Sequence, residues 1–302
     1  MKRFFFITVL LLIASFGSSQ QLTQPTLVGM NLFEVNPAFA GQYGRQHIML
    51  RHRNQWQGFD GAPVWNNLSW HGPIRNMKLG VGARLWQEEI GAFHHVGSML
   101  SFSWSSKISQ NLKISAGISG GVDSWQLDSG SLIGLDGNEH VNLNLGGVRP
   151  QLGFGMLLRS KKSFFGFSAH NLTQSSWDTE ANSIGRDVVH ALMHLGREFK
   201  LNDQWYLRTV ANSRFISIDS PSLEGQAGIW FRKQVMLGGG YRSSQDAYAF
   251  LEVQLKNRFR VGYAYEWNHG SFGPAHNGSH ELFLGMLFGN RQEATNKILY
   301  LP

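Results

Sequence analysis

The chain has 302 residues, with 27 Lys and Arg against 20 Asp and Glu and a formal charge of +7. The absence of Cys excludes disulfides and lipid attachment through an N-terminal cysteine, and the scattered basic residues form no nucleic-acid-binding patch. Only 16% of residues are charged, whereas a water-soluble domain usually carries about a quarter, and 35 Gly, 21 Phe and 10 Trp accompany that low charge.

Met1-Lys2-Arg3, an apolar run from Phe4 to Phe16 and then Gly17-Ser18-Ser19-Gln20 make a secretory signal peptide, residues 1–19. The run is too short to span a bilayer as a helix. Its removal takes Lys2 and Arg3 away and the charge from +7 to +5. Residues 20–44 show no period; they form an N-terminal periplasmic or plug segment, long enough to occlude a lumen from below.

From residue 45 the chain alternates apolar with polar or small residues, the pattern of strands with two unlike faces. Met77, Leu79, Val81, Ala83 and Leu85 share one face, and Lys78, Gly80, Gly82, Arg84 and Trp86 the other. The same holds for Leu152, Phe154, Met156 and Leu158 against Gln151, Gly153, Gly155 and Arg159. Val261, Tyr263, Tyr265 and Trp267 oppose Arg260, Gly262, Ala264 and Glu266. Fourteen such segments run from about 46 to 288, and no stretch has a helical period. The predicted fold is all-β: an antiparallel transmembrane barrel of about 14 strands over residues 45–288. Glycines at 117–121 and 238–240 mark bends or close backbone approach.

Alternate connections differ in length. Gly72–Asn76, Ser109-Gln110, Ser160–Lys162, Lys200–Asp203, Lys233-Gln234 and Asn257 are short. Gln57–Pro63, Glu88–Phe93, Asp128–Val148, Leu172–Arg186, Ser217–Pro221 and Asn268–Gly278 are mostly longer. Outer-membrane barrels sort their loops this way, which puts the short turns and the N-terminus in the periplasm. The short turns are basic, meeting phospholipid headgroups or forming a docking face. Trp56, Trp65, Trp70, Trp86, Trp104, Trp125, Trp205, Trp230 and Trp267 are expected at the bilayer edges.

Little in the chain invites catalysis. His94-His95 and His276 with His280-Glu281 are the candidate metal ligands, but Gly273-Pro274 and Gly278 break the helix a His-Glu-x-x-His zinc site needs. Ser168, His170 and Asn171 form only a loose hydrolase triplet of the sort any such barrel offers. No enzyme activity, metal or cofactor is expected.

Two regions stand out as motifs. Asn36-Pro37-Ala38-Phe39-Ala40-Gly41 is followed by Arg53-Asn54-Gln55-Trp56, Gly61-Ala62-Pro63 and His71-Gly72-Pro73. The last blocks are Val261-Gly262-Tyr263-Ala264-Tyr265 and Gly278-Ser279-His280-Glu281. In order and spacing the chain resembles the PorP/SprF family of type IX secretion system outer-membrane proteins, from about Gln24 to Phe288. The resemblance implies a barrel that assists secretion, or surface retention, of cargo carrying a C-terminal sorting domain, such as an adhesin of gliding bacteria. It places Asn36, Pro37, Gly41, Arg53, Asn54, Gln55, Trp56, Gly61 and Pro63 in the family's N-terminal motif, and His280 and Glu281 in its last-strand motif. It assigns none of them a catalytic role; they are candidates for partner or lumen contacts. Arg53 with Glu281 makes a possible lumen ion pair, since the first and last strands of a closed barrel are neighbours.

Phe288 is the expected end of the last strand, and residues 289–302 a disordered tail or one that docks a periplasmic partner. Expected partners are outer-membrane lipid, type IX machinery and secreted cargo. The competing function is a passive porin or a hydrophobic-solute channel, with inward Arg84, Arg159 and Glu266 lining or plugging the pore.

Overall fold

The computed structural model describes residues 25–74, 78–128, 146–178, 183–216, 221–256, 258–271 and 273–289. The expected signal peptide and the tail from residue 290 lie outside them. Residues 46–288 build one closed antiparallel barrel of fourteen strands.

In chain order the strands are β1 (Gln46–Asn54), β2 (Val64–Ile74), β3 (Leu79–Ile90), β4 (Phe93–Lys107), β5 (Lys113–Leu127), β6 (Gly146–Arg159) and β7 (Ser163–His170). A short hairpin, β8 (Ser176–Asp178) and β9 (Ser183–Arg186), pairs only with itself, within the connection to β10 (His190–Lys200). The rest are β11 (Trp205–Phe215), β12 (Ser222–Phe231), β13 (Val235–Arg242), β14 (Asp246–Leu255), β15 (Phe259–Asn268) and β16 (Ser279–Phe288). Each barrel strand pairs with its sequence neighbours, and β1 closes on β16 from Gln46↔Phe288 to Asn54↔His280. Closure leaves no unpaired edge, which a spanning sheet requires because lipid offers no hydrogen-bond partner.

The two-residue period sets the two faces. Ile118 is 61% exposed and Leu237 66%, in an outward apolar surface that also carries Leu50, Leu85, Leu100 and Phe102. In water so broad a patch would drive association; against acyl chains it is the matching solvent face. The inward face is largely polar or small, with Arg51, Arg53, Ser69, Ser103, Ser119, Gln151 and Glu252 all buried, and apolar side chains such as Leu157, Phe164 and Phe283 interrupt it.

Three details depart from the expectations. Glu88–Phe93 is not a loop: β3 and β4 continue to Ile90 and Phe93 and turn at Gly91-Ala92, because Glu88 inward and Glu89 outward keep the alternation. Trp65 and Trp230 are buried in the lumen rather than at the bilayer edge. Trp86 and Trp125 also turn inward, their rings gathered on His95, Trp125 stacked on it at 3.9 Å. Trp70, Trp104, Trp205 and Trp267 do follow the outward phase.

The third departure concerns the N-terminal end. The described chain starts level with the last residues of β1, at the end that carries the long connections. It then descends through the lumen to Gly44, where β1 begins at the short-turn end. Residues 25–42 are buried. They contain three single 3-10 turns, Val28–Met30, Leu32–Glu34 and Pro37–Phe39, and no regular element long enough to hold itself together.

Candidate functional site in the barrel lumen

What fixes this segment is the wall around it. Leu27 and Met30 pack with Met49, Phe283, Tyr248 and Trp230 on one side. Leu32, Phe33, Val35 and Phe39 pack with Leu157, Phe164, Leu192 and Val210 on the other. Each such side chain contributes roughly 1.5–3 kcal/mol when fully buried. Polar latches along the segment add to the two clusters.

The first latch is ionic and sits at the start of the segment. Glu281, 1% exposed, accepts from the backbone N–H of Thr26 at 2.6 Å and of Leu27 at 3.2 Å. Its carboxylate also faces Arg51 at 3.1 Å and Arg53 at 3.4 Å. Arg53 reaches Glu266 at 2.7 Å and donates to the Thr26 hydroxyl. Arg51 is 3.5 Å from Glu34, the one carboxylate the segment itself carries. Glu266 and Glu224 both pair with Arg242 at 3.3 Å, and Tyr248 donates to Glu224 at 2.7 Å. A charge removed from water needs this many partners, or burial would cost several kcal/mol.

The second latch is neutral. Asn36 caps the last 3-10 turn by accepting from the N–H of Ala38 at 2.9 Å. Its amide group donates to the carbonyls of Met156 at 3.0 Å and Phe167 at 3.1 Å, and lies 2.8 Å from His194 Nε2. Pro37 follows at the first position of that turn, where its fixed φ suits the turn and its missing N–H costs nothing. Ser168 donates to the Val35 carbonyl at 2.6 Å, and His170 Nε2 sits 2.7 Å from the same oxygen. The two residues of the loose hydrolase triplet therefore share an acceptor in the plug instead of addressing each other.

The third is steric. Gly41 has φ +71, a left-handed conformation that favours Gly, and its N–H donates to His71 Nδ1 at 3.2 Å. A Cβ on the wall residue Gly80 would lie 2.2 Å from the Ala40 carbonyl oxygen, and one on Gly117 2.5 Å from the Ala38 nitrogen. These glycines let two backbones meet. Tyr43, at the segment's end, packs on the rings of His47 and His71 at 5.0 and 4.7 Å. Burial pushes its phenol up to about 12.

The structure thus divides the motif residues. Asn36, Pro37, Gly41, Arg53 and Glu281 all lie in the lumen, Arg53 against Glu281 and Asn36 and Gly41 against other parts of the wall. Asn54, Gln55, Trp56, Gly61 and Pro63 lie at the outer rim: Gln55 N–H donates to the Pro63 carbonyl at 2.9 Å, Trp56 N–H to Ser279 Oγ at 3.2 Å and Gly91 N–H to the Gly61 carbonyl at 2.9 Å. His280 points outward, with the Tyr263 hydroxyl 2.7 Å from its Nδ1. Thr26, Glu34, Arg51 and Glu224 have no part in the sequence motifs, and Arg242 has no role assigned by them. The sequence does carry a signal for two of them: Arg51 shares the phase of Arg53, and Glu34 is the only carboxylate in the first 59 residues. Of the histidines weighed as metal ligands, His95 is ion-paired with Asp123 at 3.0 Å and Glu88 at 3.6 Å, and His276 accepts from the Gly278 N–H.

Residues 17–286 match the family model of the type IX secretion system membrane protein PorP/SprF. The chain belongs to the PorP/SprF family. Among solved structures it is similar to the toluene transporter TbuX of Ralstonia pickettii, with TM-score 0.53 and 11% identity over 88% of this chain and 94% of that one. The outer membrane protein Omp33 of Acinetobacter baumannii follows at TM-score 0.49 and 6% identity, over 81% of this chain and 98% of that one. The CymD monoaromatic hydrocarbon channel matches at TM-score 0.48 and 10% identity, over 89% and 94%. Such low identities speak for the fold alone. None of the curated proteins compared matches the chain. This PorP/SprF protein is an outer-membrane β-barrel of the type IX secretion system, and in such barrels the short turns face the periplasm.

Proposed function

We propose that this PorP/SprF barrel is a sealed anchor that retains a type IX cargo protein, such as a gliding adhesin, at the cell surface through its outer rim. The observation that carries the reading is the plug: residues 25–44 are packed against the wall on all sides and latched by Glu281 and Asn36. A conducting pore needs a continuous wet path, and a segment buried this completely argues against one. In this reading the chain comprises a signal peptide 1–19, a plug 20–44, a barrel 45–288 and a tail 289–302.

The rim gives the cargo a firm surface. Gln57 N–H donates to the Gly278 carbonyl at 2.8 Å and Asn277 N–H to the Gln57 carbonyl at 2.7 Å, tying the β1–β2 and β15–β16 connections together across the closure seam. Trp56, Phe59 and His276 stand on this platform, with the Trp56 and His276 rings 6.2 Å apart. Sorting domains and machinery subunits are the partners this surface would meet.

Two measurements test the reading. Tagged protein from gently solubilised outer membranes is expected to bring down a large secreted protein or type IX components. Recovery of a lone barrel, from cells that secrete normally without it, would refute retention. Purified protein in planar bilayers is expected to stay silent, and steady single-channel conductance would favour a solute channel instead.

A further inference from the structure

The two ends of the barrel carry opposite charge. The short connections with their strand ends, residues 107–113, 159–163, 197–205, 231–235 and 255–259, hold eleven Lys and Arg and only two carboxylates, Glu198 and Asp203. The described residues joining strands at the other end, within 55–63, 128, 171–178, 183–189, 216 and 221, hold four carboxylates and one Arg. Both carboxylates of the basic end are engaged, Glu198 with Lys233 at 2.7 Å and Asp203 with Lys200 at 2.5 Å.

Within the basic end, three cations stand side by side on the inner face. Lys107 is directly opposite Lys113, and Lys113 directly opposite Arg159. They continue the inward phase of Ser105, Ser115 and Leu157. Arg159 is buried and held by the plug, donating to the Gln42 carbonyl at 2.9 Å. Like charges opposite each other repel along a ladder, and an anion facing the row would offset that repulsion. The strands lie about 4.8 Å apart, so the row puts three charges within about 10 Å. Lys161 and Lys162, in the turn after Arg159, are exposed beside it.

Phospholipid headgroups surround the outside of a barrel and do not reach side chains that point into its mouth. A ligand for this row arrives along the barrel axis, from the periplasm. We propose that the periplasmic mouth is a docking site for an acidic segment of a periplasmic protein, its carboxylates spanning Lys107, Lys113 and the turn lysines Lys161 and Lys162. The site lies at the opposite end from the cargo platform and stands or falls separately from it.

The test uses the full chain in phosphatidylcholine nanodiscs, which leave both faces open, and a short fluorescent oligoglutamate as probe. The wild type should bind it in a salt-sensitive way, and Lys107→Gln with Lys113→Gln should weaken binding about tenfold. The control pair Lys256→Gln with Arg258→Gln, on the far side of the same face, should change it about twofold or less. Equal weakening by both pairs would mean diffuse attraction and overturn the proposal, as would no binding at low salt. Retention of phosphatidylglycerol by the wild type and its loss in the Lys107→Gln, Lys113→Gln variant would make lipid the occupant, which also overturns it. Both pairs sit at strand ends or in turns, and heat-modifiable gel mobility reports whether each variant still folds.

Discussion

Glu281→Gln is the sharpest perturbation of the plug. The carboxylate serves two plug N–H groups, at 2.6 and 3.2 Å, and two guanidinium groups, at 3.1 and 3.4 Å. The amide keeps the shape and one acceptor oxygen but removes the charge, leaving Arg51 and Arg53 to Glu34 and Glu266. Removing one partner of a buried ionic set costs roughly 3–5 kcal/mol. If about 3 kcal/mol of this falls on seating the plug, the open population rises about 100-fold. The chain has no Cys, so a single Val28→Cys in the plug reports opening through its reaction with an impermeant maleimide. When reclosing outruns labelling, the rate follows the open population. Glu281→Gln should therefore speed labelling about 100-fold, and adding Arg51→Met should recover most of the difference, because a buried pair removed together costs far less than half of it. A rate within about threefold of the reporter alone would show that Glu281 does not hold the plug.

The other latches give distinct outcomes in the same assay. Asn36→Asp keeps the cap on Ala38 but loses the donors to Met156 and Phe167, so it should open the plug more than Asn36→Ala does, whose own cost is about 2 kcal/mol. Gly117→Val should unseat the segment while the barrel still forms, since the new side chain enters the space of Pro37 and Ala38; unchanged labelling would contradict that contact. Tyr43, with a folded pKa of about 12 against 10 when released, should leave plug stability unaffected below pH 10 and lower it between pH 10 and 12, because there the released form gives up a proton that the seated form keeps. The loss should be on the order of 2 kcal/mol, and Tyr43→Phe should abolish that pH dependence. Trp56→Ala should reduce surface cargo severalfold in a whole-cell display assay without altering labelling of the plug.

Much of the barrel was legible because its physics is local. Alternation at 151–159 and 260–267 separates a lipid face from a lumen face within one strand, and parity of loop length needs only the strand count. Glu88-Glu89 misled for an equally local reason: adjacent charges look like a loop, yet one points inward and the other outward. Tryptophan misled because an indole suits either a membrane edge or a polar lumen with a His or Arg beside it, as Trp125 and His95 do. The plug was hardest. Its three isolated turns have no period, and Leu27, Met30 and Phe33 find their partners on strands spread over the whole barrel.

That mode of attachment follows from the inverted design of a membrane barrel. Most of the wall's apolar surface faces lipid, so the plug binds a lumen face in which Arg, Glu, Ser and Gly surround a few apolar side chains such as Met49, Leu157, Phe164 and Phe283. Apolar clusters alone would tolerate several registers of an irregular segment, since dispersion and hydrophobic burial are not directional. Glu281 and Asn36 accept only one, because any shift strands a buried charge or two carbonyls, at a cost of several kcal/mol. Ionic latches of this kind add modest net stability but make partial opening costly. The lumen is thereby biased towards two states, plug seated or plug released, and the seated one leaves the outer rim on an unmoving base.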